Sequence, residues 1–341
     1  MKAIGVYKSL PITDPQSLVD IEIERPVPSR RDLLVQVKAL SVNPVDTKVR
    51  ASIHEGDNTP RILGWDAAGV VVQAGPECTQ FKPGDEVYYA GSIQRAGCNS
   101  EFHVVDERIV GRKPRNLTFA EAAALPLTSI TTWEGLFDRL EISEQPADNQ
   151  GKTILVVGAA GGVGSILTQL AHWAGLTVIG TASRPETIAW TKKLGSTYTI
   201  NHHQPWQPQL DKLAVGDIDY IFCLNSTATH WDAMVEAIAP QGKICSIVET
   251  DKPINLSALQ HKSVTFVWEF MFTRSMYHTK DMERQQYLLN KLAGLIEEQK
   301  IKTTLTELLN VINAANLRKI HQKLEQGTAI GKLVAENFPA R

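Results

Sequence analysis

The most constraining stretch of the chain is a run of glycines and its two flanks. Thr153-Ile154-Leu155-Val156-Val157 reads as a buried strand, and Gly158-Ala159-Ala160-Gly161-Gly162-Val163-Gly164 as a tight turn. Val163, Leu167, Leu170 and Ala174 then fall at helical spacing. A strand, a glycine-rich turn and a helix in this order suit a dinucleotide pyrophosphate. Glycines permit the turn, let backbone approach the anion and let the helix pack on the strand. Free N–H groups and the positive helix end then face the charge. Set against G-x-G-x-x-G, the key positions are Ala159, Gly161 and Gly164, with Ala160, Gly162 and Val163 between and beside them. The bland alternative is a βα turn that binds nothing; the strand and helix context argues against it. A P-loop is disfavoured, because no Lys-Ser/Thr pair follows the last glycine.

The next strand discriminates between cofactors. About 20 residues past such a turn, an acidic side chain holds the ribose 2′-hydroxyl of NAD. Thr177-Val178-Ile179-Gly180-Thr181 instead leads into Ala182-Ser183-Arg184. A carboxylate there would repel a 2′-phosphate, whereas Ser183 donates a hydrogen bond and Arg184 a charged fork. The expected cofactor is therefore NADP(H). The competing role for Arg184 is a solvated residue at a helix start. Glu186 is expected in the first helical turn, where the macrodipole favours it.

Around this turn the chain alternates strand and helix, with further strands at Tyr220–Leu224 and Lys243–Val248 and a short helix over Thr187–Leu194. That order argues for a doubly wound parallel sheet. The first third differs. Leu33–Ala39 and Gly69–Gln73 are short β runs, and Lys82-Pro83-Gly84-Asp85 is a turn signal, so a compact barrel or sandwich is expected. Phe119–Leu125 is helix-prone until Pro126, and Thr128–Leu140 reads as a second helix. A β-like run at Val264–Trp268, a polar helix near Met282–Lys300 and a closing strand at Gly331-Lys332-Leu333-Val334 complete the chain. The last suggests a return to the first domain.

Composition narrows the class. The 341 residues include 35 basic and 37 acidic side chains, a formal net charge of −2, which lacks the basic excess of a nucleic-acid binder. Apolar runs stay short of the roughly 20 residues of a membrane span, and no secretory leader is visible. Four scattered cysteines fit a reducing, cytoplasmic setting better than a disulfide framework.

Several motifs, in order, resemble the medium-chain dehydrogenase/reductase superfamily, and within it the quinone-oxidoreductase-like branch often called zinc-type alcohol dehydrogenase-like. They are Ser41-Val42-Asn43-Pro44-Val45-Asp46, Gly64-Trp65-Asp66-Ala67-Ala68-Gly69, Lys82–Val87, Leu125-Pro126-Leu127-Thr128, Ala159–Gly164 and Gly331–Val334. The resemblance spans essentially the whole chain. It implies an α/β architecture in which a GroES-like β-barrel domain carries an inserted Rossmann doubly wound parallel sheet. The expected segments are 1–126 for the first part of the GroES-like catalytic domain, 127–265 for the NADP-binding domain and 266–341 for the return segment. A homodimer is also implied.

The resemblance supplies candidate roles. Asn43, Asp46, Trp65 and Thr128 would line the active site, with Thr128 also near the nicotinamide. Asn43 is read either as a donor to substrate or cofactor, or as a turn residue before Pro44. Asp46 is read as a helix cap or orienting group, and Trp65 as a pocket wall or a core residue. His202, Asn225, Val248 and Lys332 are further expected cofactor contacts. Phe270 and Phe272 would close the site or face a second subunit. Zinc alcohol dehydrogenases carry Cys where this chain has Asn43, a Gly-His-Glu motif where it has Gly64-Trp65-Asp66, and a third ligand, Cys, near Thr128. Amide and indole replace thiolate and imidazole, so no catalytic zinc is expected. Only Cys98 lies in the stretch of the structural-zinc lobe, and the adjacent His202 and His203 do not restore a ligand set. Hydride transfer from NADPH to a quinone, enone or aldehyde then fits best, because the product oxygen needs only hydrogen-bond donors. A zinc-dependent alcohol dehydrogenase and a non-enzymatic NADPH-binding protein are the competing readings.

Overall fold

The computed structural model describes residues 1–53 and 59–339. Residues 54–58, in the stretch Ser52–Pro60 that the sequence offers as a loop shaping the substrate pocket, lie outside them. Two compact units emerge: Met1–Ile130 with Phe272–Arg341, and Thr131–Met271. The sequence placed these boundaries at 126/127 and 265/266.

The first unit is built around one long strand, β1 (Asp32–Ser41). One edge of β1 pairs antiparallel with β2 (Ala67–Ala74), which continues to strands Glu86–Tyr89 and Val110–Arg112. Residues 32–36 of β1 pair with Phe102–Asp106, and residues 39–41 with the C-terminal strand Lys332–Glu336. The tail therefore returns to the first unit, as the strand-like Gly331–Val334 suggested. Register shifts at Leu34/Val35 and Val37/Ala39 bend the strand. Gly69 lets β2 approach closely, since a Cβ there would lie 2.1 Å from the carbonyl oxygen of Gln36. Asn43 follows β1 directly and caps helix α1 (Pro44–Ala51).

The second unit is a six-stranded parallel sheet. Its strands are β3 (Thr153–Val157), β4 (Thr177–Thr181), β5 (Tyr198–Ile200), β6 (Ile218–Cys223), β7 (Ile238–Ser246) and β8 (Thr265–Trp268). Their spatial order is β5-β4-β3-β6-β7-β8, all parallel. The chain winds outward from β3 in one direction, then from β6 in the other. The C-terminal ends at that reversal are where doubly wound sheets bind ligands. Helices α2 (Gly162–Trp173), α3 (Pro185–Lys193) and α4 (Thr227–Ala237) connect successive strands. Leu155, Val157, Ile179, Ile221, Ile244, Trp231 and Met234 form part of the core on one face.

Some boundaries differ from expectation. Pro126 separates two helices as expected, Phe119–Ala123 before it and Pro126–Trp133 after it, and it starts the second itself because a first-turn residue needs no N–H acceptor. The expected helix Thr128–Leu140 then widens into a π-helix over Glu134–Arg139. The Met282–Lys300 helix spans Arg284–Glu297, and it is less polar than it reads: Leu288, Leu289, Leu292 and Ile296 are buried along one face. No described helix is long and apolar enough to cross a membrane. All four cysteines are free thiols.

Candidate functional site

The glycine-rich turn divides its labour among its members. Gly158 takes φ +86°, a conformation side chains disfavour, and its N–H donates to Thr181 Oγ1 at 2.9 Å. Gly164 sits against the turn itself: a Cβ would lie 2.3 Å from the carbonyl oxygen of Gly158 and 2.6 Å from Cα of Ala159. Gly161 is different. A Cβ there would meet only the carbonyl oxygen of Gly158, at 3.6 Å, an ordinary contact. The protein's own packing does not demand glycine at that position, which leaves a cradle at the mouth of α2. The first helical hydrogen bond runs from Ser165 N to the Gly161 carbonyl at 2.9 Å. The N–H groups of Gly162, Val163 and Gly164 precede it and lack intrahelical acceptors.

The residues around the turn hold this arrangement. Ala160, Gly161, Gly162 and Val163 are partly exposed, whereas Ala159 is fully buried with its methyl packed under Gly180. Ala159 can therefore offer a ligand backbone only. Ser165 Oγ donates to the Gly161 carbonyl at 2.7 Å and accepts from Trp190 Nε1 at 2.8 Å. Sequence reading missed Thr181, Ser165 and Trp190 as supports. Only Thr181 left a signal, as a hydroxyl at the end of the strand beside the turn.

Ser183 and Arg184 leave the C-terminal end of β4, both half-buried. Arg184 caps α3, and its Nε pairs with Glu186 Oε1 at 3.0 Å. Glu186 lies in the first helical turn, as its position suggested. A pair with this much solvent exposure contributes little. His202 follows β5, and Asn225 is exposed after β6. Val248 lies two residues beyond β7, and its carbonyl accepts the Thr227 hydroxyl at 2.6 Å. That hydroxyl has one proton, so it accepts from Ser246 Oγ at 2.6 Å. The Val248 backbone, expected to meet nicotinamide, has its carbonyl engaged by this one partner.

In the first unit, Asn43, Asp46, Asp66 and Lys332 meet in a buried cluster. Asp46 is the third residue of α1 and accepts from the Asn43 N–H at 2.7 Å, a helix cap. Burial pushes its carboxyl up to about 7. Asp66 Oδ1 accepts from Leu127 N at 2.7 Å, while Oδ2 accepts from Asn43 Nδ2 at 2.8 Å and Lys332 Nζ at 2.9 Å. Burial raises Asp66 against the opposing pull of the Lys332 charge. Lys332 also donates to the Val42 carbonyl at 3.2 Å and to Asn43 Oδ1.

Two of the expected site residues have their polar atoms engaged within this cluster. Asn43 spends its amide on Asp66 and its carbonyl on Lys332, which leaves no evident donor for a substrate. Lys332 has three protons and three internal acceptors, so its ammonium is not presented to a cofactor phosphate. Trp65 is fully buried, donates to the Ser92 carbonyl at 3.2 Å and meets Phe272 edge-on at 6.1 Å. It is a core residue of this unit. Thr128 is buried and donates to the Leu125 carbonyl at 3.0 Å. Of the catalytic candidates, Asn43 and Asp46 thus come together in a closed network around an internal cation, while the Trp65 and Thr128 side chains are engaged elsewhere.

Those donors do not suit zinc. The positions where zinc alcohol dehydrogenases supply thiolate and imidazole hold an amide, an indole and a hydroxyl, and an ammonium already neutralises the carboxylate. Among the described residues, no group of three His, Cys, Asp or Glu side chains is placed to hold a metal.

Comparison with known proteins fixes the class. Residues 29–132 match the alcohol dehydrogenase GroES-like domain, and residues 162–285 the zinc-binding dehydrogenase domain. A zinc-type alcohol dehydrogenase-like protein of Staphylococcus aureus is 43% identical over 334 residues, 98% of this chain and 99% of the relative. A quinone oxidoreductase of Pseudomonas aeruginosa is 30% identical over 314 residues, 90% of this chain and 91% of the relative. A crystal structure from Rhizobium etli CFN 42, provisionally assigned as a zinc-dependent alcohol dehydrogenase, superposes with a TM-score of 0.95 at 50% identity, covering 100% of this chain and 99% of that one. The chain belongs to the medium-chain dehydrogenase/reductase superfamily of oxidoreductases, in its quinone-oxidoreductase-like branch. Its architecture is a GroES-like domain with a Rossmann-type parallel sheet.

Proposed function

We propose that the protein is an NADPH-dependent reductase of a quinone, enone or aldehyde, working without a catalytic zinc. The observation that carries this reading is the contrast within the turn. Gly164 is demanded by packing, whereas nothing in the fold demands glycine at 161, so a ligand approaching from outside is what would use the space there. The N–H groups of Gly162 and Val163 would hold the pyrophosphate, and Ser183 and Arg184 the 2′-phosphate. When bound, the nicotinamide supplies a hydride.

The chain's own residues orient and exclude rather than polarise. A zinc-bound alkoxide needs a Lewis acid, for which the Asn43-Asp66-Lys332 network offers no ligand set. A conjugated acceptor asks less, since its oxygen is served by hydrogen-bond donors and solvent can protonate the product. We further propose a homodimer. Strand β8 lies at the sheet edge, and Trp268 and Phe270 beside it are 48% and 47% exposed. Sedimentation at micromolar concentration should give twice the chain mass, and a monomer would refute the dimer.

The test of the activity is NADPH oxidation against a panel of quinones, alkenals and aldehydes, before and after chelation. Turnover that survives removal of all zinc supports the reading. Activity that disappears on chelation and returns with zinc overturns it.

A further inference from the structure

Helix Pro126–Trp133 is capped from a distant part of the chain. Leu125, which precedes it, has no side-chain acceptor, and Pro126 has no N–H. The first N–H of the helix, that of Leu127, donates instead to Asp66 Oδ1 at 2.7 Å, from 61 residues away. Thr128 donates its hydroxyl to the Leu125 carbonyl at 3.0 Å, and Ser129 N donates to the same oxygen at 2.9 Å. Asp66 therefore fixes the first turn of the helix that carries Thr128, the residue expected near the nicotinamide. Asp66 is itself held through Oδ2, by Lys332 Nζ at 2.9 Å and Asn43 Nδ2 at 2.8 Å.

The charges of this cluster balance only with an added proton. Asp46 and Asp66 are 0% exposed and Lys332 is 3% exposed, so two carboxyls share one buried ammonium. A second buried carboxylate would be uncompensated and costly. The donors show which carboxyl is the neutral one. Asp66 accepts three hydrogen bonds, one on Oδ1 and two on Oδ2. Asp46 Oδ2 accepts the Asn43 N–H, while its Oδ1 has no hydrogen-bond partner among the described residues. Ionisation is therefore better supported on Asp66. Lys332 and the Cys98 thiol are the other titratable groups facing these carboxyls. Burial and the two carboxyls push Cys98 up, so it stays a neutral thiol.

We propose that Asp46 carries the proton that lets Asp66 remain a carboxylate, and that Asp66, fixed by Lys332, is a positioning residue for Thr128. The inference rests on the reductase reading above and adds a part to it. While Asp46 is neutral, Lys332 has one carboxylate to neutralise and stays on Asp66. Once Asp46 ionises, at about pH 7, a second buried charge competes for the ammonium and the cap on Leu127 loosens. Displacement of a reacting site by about 1 Å can lower its rate about 100-fold. Turnover should then fall on the alkaline side, by at most about tenfold per pH unit because one proton is involved.

Infrared spectra of the full chain from pH 6 to pH 9 follow the carbonyl stretch of neutral carboxyls, and NADPH oxidation by menadione is measured over the same range. The wild type should lose one such carboxyl near pH 7, and turnover should decline with it. Asp46→Asn keeps an acceptor for the Asn43 N–H, and it should abolish both the spectral change and the alkaline decline. Asp66→Asn should lower kcat by about tenfold or more at every pH, with NADPH affinity nearly unaltered. A wild-type spectrum that loses no carboxyl near pH 7, or the same alkaline decline in Asp46→Asn, would overturn the proton's role. Full turnover in Asp66→Asn would overturn the positioning role. A wild type that oxidises NADPH with no quinone, alkenal or aldehyde at any pH would remove the reductase reading and the positioning role together, while the infrared change would still place the proton.

Discussion

Two polar constellations stand out in the sequence, and the structure treats them in opposite ways. The turn at Gly158–Gly164 keeps backbone donors unspent at a helix mouth. The cluster of Asn43, Asp66 and Lys332 has spent nearly all of its own. The first leaves donors free for the ligand we propose, and the second holds a unit together around a buried charge. A motif match alone does not separate these outcomes; counting donors and acceptors does.

The sharpest way to break this comparison is to remove the internal cation. Lys332→Met leaves the Asp66 carboxylate buried without its partner and should cost about 3–5 kcal/mol of stability in urea unfolding. Adding Asp66→Asn should recover part of that loss. A Lys332→Met protein as stable as wild type would show that the cluster is not structural.

On the open side, Arg184→Ala should weaken NADPH binding by about 1.5–3 kcal/mol and leave NADH nearly unaffected. Equal losses for both cofactors, measured as dissociation constants, would remove the specificity argument. Gly164→Ala should lower stability by about 1–3 kcal/mol, since the new methyl would overlap backbone atoms of Gly158 and Ala159. Unchanged thermal unfolding would contradict that packing.

A further effect concerns pH, and each unit contributes a buried carboxyl held well above its ordinary value. Asp46 is held up to about 7 by burial. Glu269 is held up to about 9 by burial and by the neighbouring Glu134, against the pull of Arg139. Both values are raised in the folded state, so the native chain keeps protons that the unfolded chain releases. Stability should therefore fall as pH rises from about 4 to 7 through Asp46, and on to about 9 through Glu269. Glu269→Gln should flatten the upper part of this decline and Asp46→Asn the lower part. Unfolding midpoints across pH 5–9 check both, and an unaltered slope in either variant would refute its assignment.

Much of the architecture is legible because its signals are local. Four apolar residues before a glycine run, helical spacing after it, and a strand-like tail can each be read within a short window. The fate of Asn43 is not legible, because its partner Lys332 lies 289 residues away and its place is set by the pairing of the C-terminal strand with β1. Sequence reading could name Asn43 and Lys332 as interesting but not see that each satisfies the other. Trp65 was ambiguous for the same reason: Phe272 and Ser92, which bury it, come from distant segments. Pro126 was legible as the break between two helices but not as the first residue of the second, since a proline suits both places.

The central claim is that Gly161 is kept small for a dinucleotide and not for the fold. Gly161→Ala tests it most directly, with NADPH dissociation constants and thermal unfolding measured on the same preparation. The account predicts a stability cost of about 1 kcal/mol or less, the usual price of alanine at a helix cap, and NADPH binding at least about tenfold weaker. Wild-type affinity for NADPH in a well-folded Gly161→Ala protein would contradict it.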